Sequence, residues 1–557
     1  MPRMTGARFL AEALAAYGTT HVFMVPAILR RTMAEMERRT SIARIHAHGE
    51  KAAAYMADGY ARASGRPGLC MAQHVGGLNL AAGLRDAWLA HAPVIAFTGG
   101  CRPADEFRKV YQEADNFPTF APVTKWNARV EDAARFPDMV RQAFRVATSG
   151  CPGPVHLQFR GNEGQVDVEE AEIDVIIDRD FAAVPPFRPL PEPARLQAAV
   201  ERIARAARPV IVAGGGVRHS GAGAALRAFA EATGIPVATS LNGKDAIPGA
   251  HPLSVGVVGT YARRAANRVV AEADLVIFIG TEAGSMTTHF WTLPPKGTAA
   301  IQIDIDPESL GRAYPLEVAI LGDARVTLEA LSTLVNAKDA AKREDWRARV
   351  KGIGDSWRQE WAALLTSDAV PIRPERICAD LTRLLPEDAL VVVDTGHAGM
   401  WMGGMFDLRS TRQDYIRCAG HLGWAFPAGI GAKCARPERP VFVFTGDLGI
   451  WYHIAEIETA VRWNIKTVTL VNNNHSGSQS TMGFHRAYEG DPSEKSRELW
   501  VHKEVNFARI AEDIGAFGVR VERPGELGAA IEQAFGSDRP ALIDVATDIE
   551  ALAPTAG

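Results

Sequence analysis

The sequence predicts an α/β protein built from three doubly wound parallel-sheet domains. Three observations point there. Strand-like apolar runs alternate with helical stretches from end to end. Those runs hold consecutive Val, Ile and Leu rather than an in–out alternation, the mark of strands covered on both faces in a parallel sheet. Two linker-like stretches cut the 557 residues into thirds, each long enough to bury a core of its own.

The elements follow in order. The opening stretch MPRMTGARFLAEALAAYG is interrupted by Arg8 and Glu12, so it reads as an amphipathic helix and lacks a signal-peptide core. HVFMVP (21–26) and PVIAFTG (93–99) are strands, with the alanine-rich helix GEKAAAYMADGYARASG (49–65) between them. VPPFRPLPEP (184–193) has five prolines in ten residues and cannot be a helix or an inner strand, so it closes a first domain of 1–183. A middle domain, 194–335, holds the strands PVIVAGG (209–215) and LVIFIG (275–280). Residues 336–375 begin as a charged helix and end in a proline-rich turn. The last domain, 370–557, holds ALVVVD (389–394), PVFVFTGD (440–447) and TVTLVNN (467–473), with the helix IAEIETAVRWN (454–464) between the latter two. The first and last domains share a plan in which a strand ends in TGG or TGD. In such sheets ligands sit at the carboxyl ends of the strands.

Composition excludes several classes. Lys and Arg number 61 against 65 Asp and Glu, a net −4, so no basic excess points to nucleic acid or an anionic membrane. No apolar run approaches the roughly 18 residues of a spanning helix. Six scattered cysteines with no CxxC pair indicate neither a disulfide framework nor a zinc site. The expectation is a cytoplasmic enzyme with a small-molecule substrate.

The strongest chemical signal lies in the last domain. Gly446-Asp447 ends one buried strand, and Asn472-Asn473-Asn474 ends the next, 474 − 447 = 27 residues on. Strand ends joined by one helix lie side by side, so Asp447 and Asn474 are expected to project together. A carboxylate, an amide oxygen and a nearby backbone carbonyl make a hard-oxygen site suited to Mg²⁺. Mg²⁺ keeps few protein ligands and bridges phosphates, which implies a diphosphate. A helix starting near Gly449 would aim its N–H groups at that group. The plainer alternative is a polar turn with an asparagine cap.

This pattern resembles the thiamine diphosphate-binding motif (GD…NN) of acetolactate-synthase-like and pyruvate-decarboxylase-like enzymes. The resemblance runs colinearly through HVFMVPA (21–27), HAHGEKAAAYMADGYARASGRPGLC (46–70), YQEADNFPTFAPVTKW (111–126), RPVIVAGGGV (208–217), IDIDPESLG (303–311), LGD (321–323) and CAGHLGWAFPAGIGAK (418–433). It implies a pyrimidine-binding first domain, a Rossmann-like middle domain and a diphosphate-binding last domain, with thiamine diphosphate and Mg²⁺ as cofactors. It places the catalytic glutamate on Glu50, sharing a proton with the aminopyrimidine from an apolar pocket. Leu422 matches the wedge under the bent cofactor, and the Gly420 carbonyl matches the acceptor of its amino group. Leu448 and Gly449, with Gly396 and His397, match the diphosphate side. The Ser476 carbonyl matches the third metal ligand beside Asp447 and Asn474. Pro26 and Asn79 match pyrimidine-side positions. Because Glu50 of one subunit serves a cofactor held by another, a homodimer is implied, and a homotetramer as a pair of dimers.

Departures lie on the reactant side. Leu448 replaces a frequent glycine, AQHVGGLN (72–79) replaces a Ser-Gly-Pro-Gly-type turn, and Gly49 precedes Glu50 where a histidine is common. His74 is a candidate substrate contact or a turn hydrogen-bonder, and Gln112 matches a polar active-site position. His475 and His485 lie in NHSGSQSTMGFHRAYEGDPSEKS (474–496), read as a lid or a surface loop. Gly214-Gly215-Gly216 begins like a dinucleotide loop but meets His219 where a third glycine is expected, so an empty or structural middle domain is the expectation. His46 and His48 read as structural.

The implied activity is acetolactate-synthase-like decarboxylation and carboligation of a 2-oxo acid through an enamine. The alternatives are a 2-hydroxyacyl-CoA lyase, with Arg486, Lys495, Arg497 and Lys503 as phosphate contacts or simply a solvated face, and a benzaldehyde-lyase-type aldehyde ligase. From other classes come a flavin or nicotinamide oxidoreductase and a non-catalytic thiamine-binding protein.

Overall fold

The computed structural model describes residues 1–336 and 338–554. It contains three six-stranded sheets, and every neighbouring pair of strands within them is parallel. The first sheet runs, edge to edge, Ala43–His46, His21–Met24, Gly68–Ala72, Val94–Gly100, Val155–Arg160, Trp126–Val130. The last runs Asp414–Arg417, Leu390–Val393, Val441–Gly446, Val468–Asn473, Ala541–Ala546, Phe517–Val521. Numbered by chain order, both read second, first, third, fourth, sixth, fifth, so the shared plan expected from sequence is a shared topology. The middle sheet runs Ser254–Val257, Val237–Thr239, Pro209–Ala213, Leu275–Ile279, Ala299–Asp304, Val318–Leu321, the order of a dinucleotide-binding sheet. Consecutive β-branched residues make the inner strands: all four residues of Leu390–Val393 are buried, as are all five of Leu275–Ile279.

The expected amphipathic start is a short strand, Arg3–Thr5, followed by the helix Gly6–Ala16. Thr5 caps that helix by accepting from the Arg8 N–H at 3.2 Å, and the strand pairs antiparallel with Glu170–Glu172. Residues 339–365 do not behave as a free linker. The helix Glu344–Leu365 buries Trp346, Val350, Ile353 and Trp357 on one stripe, and Trp346 Nε1 donates to the Pro209 carbonyl at 2.9 Å. This stripe shares a core with Ile377 and Leu381 of the last domain, so the charged helix bridges two domains through its apolar side.

The first and last domains meet where Glu50–Ser64 packs on Ala425–Ala435. The backbones touch. A Cβ at Gly59 would lie 2.0 Å from the Ala428 carbonyl oxygen, and one at Gly431 would lie 1.8 Å from that of Met56. Glycine at both positions is what lets the two helices approach.

Inside the first domain, His156 is fully buried, stacked on Phe120 at 3.5 Å between ring centroids, and hydrogen-bonded to Thr98 and Asn127 at 2.7 Å each. Burial drives its pKa down to about 3, so it is neutral in the folded chain. A lowered histidine pKa gives stability that is present above the unfolded value near 6.5 and lost as pH falls toward 3. Between pH 7 and 5 this one residue is expected to remove roughly 2 kcal/mol. Urea titrations of the wild type and of His156→Gln should show a shallower pH slope in the variant.

Candidate active site

The carboxyl edge of the last sheet carries the Asp447 cluster. Strands Val441–Gly446 and Val468–Asn473 pair in parallel, with Gly446 opposite Asn472. This register sets Asp447 beside the chain that leaves the second strand. Asp447 Oδ2 accepts the N–H groups of Asn474 at 3.1 Å and Ser476 at 3.0 Å. Its carboxylate is buried, which raises its pKa to about 6. The Asn474 amide nitrogen donates to Ser478 Oγ at 2.8 Å, leaving the amide oxygen as its remaining acceptor. Nearby buried atoms have no partner: Asn472 Oδ1, Ser476 Oγ, His475 Nδ1 and His502 Nε2. Buried polar groups are otherwise nearly always satisfied, so this edge fits a bound ion and a polar ligand. Its donors are one carboxylate, an amide and a carbonyl, a set suited to magnesium.

Two details differ from expectation. The helix begins at Asp447 rather than Gly449 and ends at Trp451, and the following helix is Glu456–Arg462. The Leu448 N–H, expected to face a diphosphate, donates to Asp447 Oδ1 at 2.5 Å, because a carboxylate at the first helical residue curls back over its own turn.

The loop 418–425 is clamped from both sides by residues that sequence reasoning missed. Asp86, from the helix Gly77–Leu89 of the first domain, accepts the N–H groups of Ala419 (2.9 Å), Gly420 and His421 (3.1 Å each). Asp394 accepts the N–H of Gly423 at 3.1 Å and the Thr445 hydroxyl at 3.0 Å, and burial lifts its pKa to about 6. Gly420 and Leu422 lie between these clamps. Asp86 also pairs with Arg62 at 2.7 Å, and Arg62 with Asp58 at 2.6 Å, while Trp424 Nε1 donates to Asp58 at 2.7 Å. The only sequence hint was a charge on the apolar face of GLRDAWL. Asp86→Ala is expected to cost about 3–5 kcal/mol in chemical denaturation, because it strands the buried Arg62 and frees three loop N–H groups.

Glu50 is the first residue of the helix Glu50–Ser64. In the single chain it is half-buried, and Asn79 Nδ2 donates to Glu50 Oε2 at 3.2 Å. A Cβ on Gly76 would meet Glu50 Oε1 at 2.5 Å, so the AQHVGGLN turn needs its glycine to admit the carboxylate. Among the described residues no hydrogen bond or ion pair joins Glu50 to Asp447, Asn474 or Ser476. Gln112 accepts from the side chains of Gln73 and Asn162 and adopts a left-handed backbone with φ of 61°. His74 is buried with Nε2 2.6 Å from the Ala114 carbonyl, and its Nδ1 has no partner. Pro26 is exposed in the bend after His21–Met24. Gly396, with φ of 66°, precedes the helix His397–Gly404, and burial lowers the His397 pKa to about 4.

The remaining candidates fall outside this cluster. His46 faces Arg462 and His48 faces Glu458. No group of three or more His, Cys, Asp or Glu able to hold a metal occurs among the described residues. The segment after Asn474 is folded, with the helix Thr481–Ala487 and Phe484 stacked on Trp500 at 5.4 Å. Arg486, Lys495, Arg497 and Lys503 are exposed. Gly215 and Gly216 line a cavity of about 390 Å³ at the carboxyl edge of the middle sheet, together with Gly280, Thr281 and Asp304. No helix among the described residues is long and apolar enough to cross a membrane.

Two matched sheets around a central dinucleotide-type domain, with an Asp–Asn edge, define a thiamine diphosphate-dependent enzyme. The chain belongs to the thiamine pyrophosphate enzymes: the family's N-terminal TPP binding domain matches residues 4–119, its central domain 196–331 and its C-terminal TPP binding domain 394–545. It is 32% identical over 561 residues to a probable acetolactate synthase large subunit of Methanocaldococcus jannaschii, spanning 98% of this chain and 92% of the relative. It is 30% identical to a glyoxylate carboligase of Escherichia coli O157:H7, spanning 96% of this chain and 91% of the relative, and 28% identical to an acetolactate synthase large subunit of Lactococcus lactis subsp. lactis, spanning 97 and 92%. It is thus an acetolactate-synthase-like enzyme that forms or cleaves carbon–carbon bonds with thiamine diphosphate.

Proposed function

We propose that this chain is a magnesium-dependent carboligase and lyase that acts on a 2-oxo acid, as the names of its acetolactate synthase relatives suggest. The observation that carries this reading is the buried Asp447 carboxylate gathered with Asn474 and Ser476 at one sheet edge. Asp447, Asn474 and the Ser476 carbonyl would hold Mg²⁺. Gly449, Gly396 and His397 would face the diphosphate, with Leu448 next to Gly449 in the same turn. The Gly420 carbonyl and Leu422, fixed by the Asp86 and Asp394 clamps, orient the ring system. The cofactor, when bound, supplies a thiazolium carbon that turns nucleophilic on losing its proton. Glu50 holds and returns the proton at the aminopyrimidine, Asn79 orients Glu50, and Pro26 lies on the same side. Gln112, with His74 behind it, faces the reactant.

Glu50 and Asp447 are read as belonging to one site built from two subunits, so the working unit is a homodimer, assembling further to a homotetramer. Six free cysteines among the described residues favour a cytoplasmic setting. Purified protein with thiamine diphosphate, Mg²⁺ and a panel of 2-oxo acids, 2-hydroxyacyl-CoAs and aldehydes is expected to release carbon dioxide and a hydroxy-keto product from a 2-oxo acid. Turnover confined to the acyl-CoAs or to aldehydes would replace this reading with the lyase or aldehyde-ligase alternative. Mixing Glu50→Gln with Asp447→Ala subunits is expected to restore activity that neither has alone. No recovery in verified mixed dimers would refute the shared site.

A further inference from the structure

The thiol at Cys151 sits in a setting that the proposed carbon chemistry does not use. Cys151 follows the helix Phe136–Thr148 in a turn through Gly150, whose φ is 58°. Its Sγ lies 3.0 Å from His91 Nδ1. His91 Nε2 lies 3.4 Å from Glu282 Oε1, and Glu282 is held in turn by Arg312 at 3.2 Å. Three segments from two domains therefore place a thiol, an imidazole and a carboxylate in line. This is the order nucleophile, base and orienting acid that activates a thiol. All three residues line the cavity of about 390 Å³, so the group opens on space large enough for a small molecule.

We propose that Cys151, His91 and Glu282 form a second reactive site, a base-assisted thiol at the mouth of the middle-domain crevice that exchanges with small-molecule disulfides. The sulfur attacks one sulfur of the disulfide, and a new bond joins Cys151 to that half. The original S–S bond breaks, and the other half leaves as a thiol with the proton that His91 took from Cys151. Cys151 is oxidised and the departing half is reduced, so the disulfide itself is the oxidant.

The charge around the site supports it. Burial works against a charged His91, but its hydrogen bonds to Cys151 and Glu282 outweigh burial and raise its pKa to about 10, so the imidazolium is the stable form of the ring once it has taken the sulfur's proton. The Glu282 carboxyl is lowered, first by its bond to His91. Other charges facing the group are Lys125, whose Nζ donates to the Cys151 carbonyl at 2.7 Å, and Asp304, with Asp306 beside both; His219 flanks His91. The other cysteines lack this setting. Burial pushes the thiols of Cys70, Cys378 and Cys418 up, and Cys434 up to about 12. Cys101 is partly exposed, but burial and the carboxylates of Glu113, Glu106 and Asp105 push it up as well. No other cysteine among the described residues bonds an imidazole.

Cys101 is therefore the internal comparator. The full-length protein is exposed to glutathione disulfide, quenched by alkylation, and mapped by peptide mass spectrometry over time. Cys151 is expected to form its glutathione adduct at least about tenfold faster than Cys101. His91→Asn, chosen because asparagine tolerates the left-handed backbone at φ of 54°, is expected to slow that step roughly a hundredfold. Equal rates at Cys151 and Cys101, or a Cys151 rate unchanged in a folded His91→Asn, would overturn the proposal. Should that variant not fold, Glu282→Gln and the wild-type ratio decide it: a Cys151 rate that Glu282→Gln leaves unaltered and a ratio near one both count against it. None of these readings depends on thiamine diphosphate.

Discussion

Glu50→Gln is expected to lower turnover by roughly 10²- to 10⁴-fold at saturating cofactor, while cofactor binding persists. The side chain starts the helix Glu50–Ser64, and Asn79 donates to one of its oxygens at 3.2 Å. Glutamine keeps the size and the hydrogen-bonding reach of glutamate but has no proton to share. The loss therefore isolates proton transfer from packing. Gly76, lacking a Cβ, makes room for the other oxygen, and glutamine fills the same space, so the isosteric change also avoids a steric explanation. Steady-state rates with titrated thiamine diphosphate check this: kcat should collapse while the cofactor concentration for half-saturation changes little. Near-normal kcat would remove Glu50 from the chemistry.

Asp447→Ala is expected to weaken cofactor binding at least about a hundredfold and to abolish its magnesium dependence. In the folded chain this carboxylate organises three N–H groups, those of Leu448, Asn474 and Ser476, as well as offering oxygens to a cation. Alanine removes the charge and releases the turn that presents Asn474 and Ser476. Asp447→Asn separates the two effects, since it keeps most of the size and loses the charge. Apparent affinity for thiamine diphosphate at fixed and varied Mg²⁺ reads both variants. A loss seen in Asp447→Ala and absent in Asp447→Asn would assign the residue a role in shaping the loop rather than in holding the ion.

Seven of the twelve inner strands were legible, and none of the edges was. All seven strands named from sequence, from His21–Met24 to Val468–Asn473, lie inside their sheets with ends within two residues of expectation. None of the six edge strands was named. Trp126–Val130 and Asp414–Arg417 carry polar residues because one side is open to solvent or another domain, so no apolar run announces them. The GD…NN pairing was readable because one short helical crossover, Asp447–Trp451 and Glu456–Arg462, joins two adjacent strands, which converts spacing into proximity. The Asp86 clamp was not readable: Asp86 and Gly420 are 334 residues apart, and only the packing of two domains joins them. The same holds for Cys151 and His91, separated by 60 residues, with Glu282 from another domain. The stretch 336–375 misled because its surface charge is dense, although four apolar residues at helical spacing bury one stripe.

The Asp447–Asn474 edge is expected to grip thiamine diphosphate through a divalent cation. Calorimetric titration of the wild-type protein with thiamine diphosphate, with Mg²⁺ present and then with chelator, tests it most directly. Saturable binding at one cofactor per chain is expected with magnesium, and binding is expected to be lost when the metal is chelated. Binding equally tight in chelator, or no binding in either condition, would contradict it.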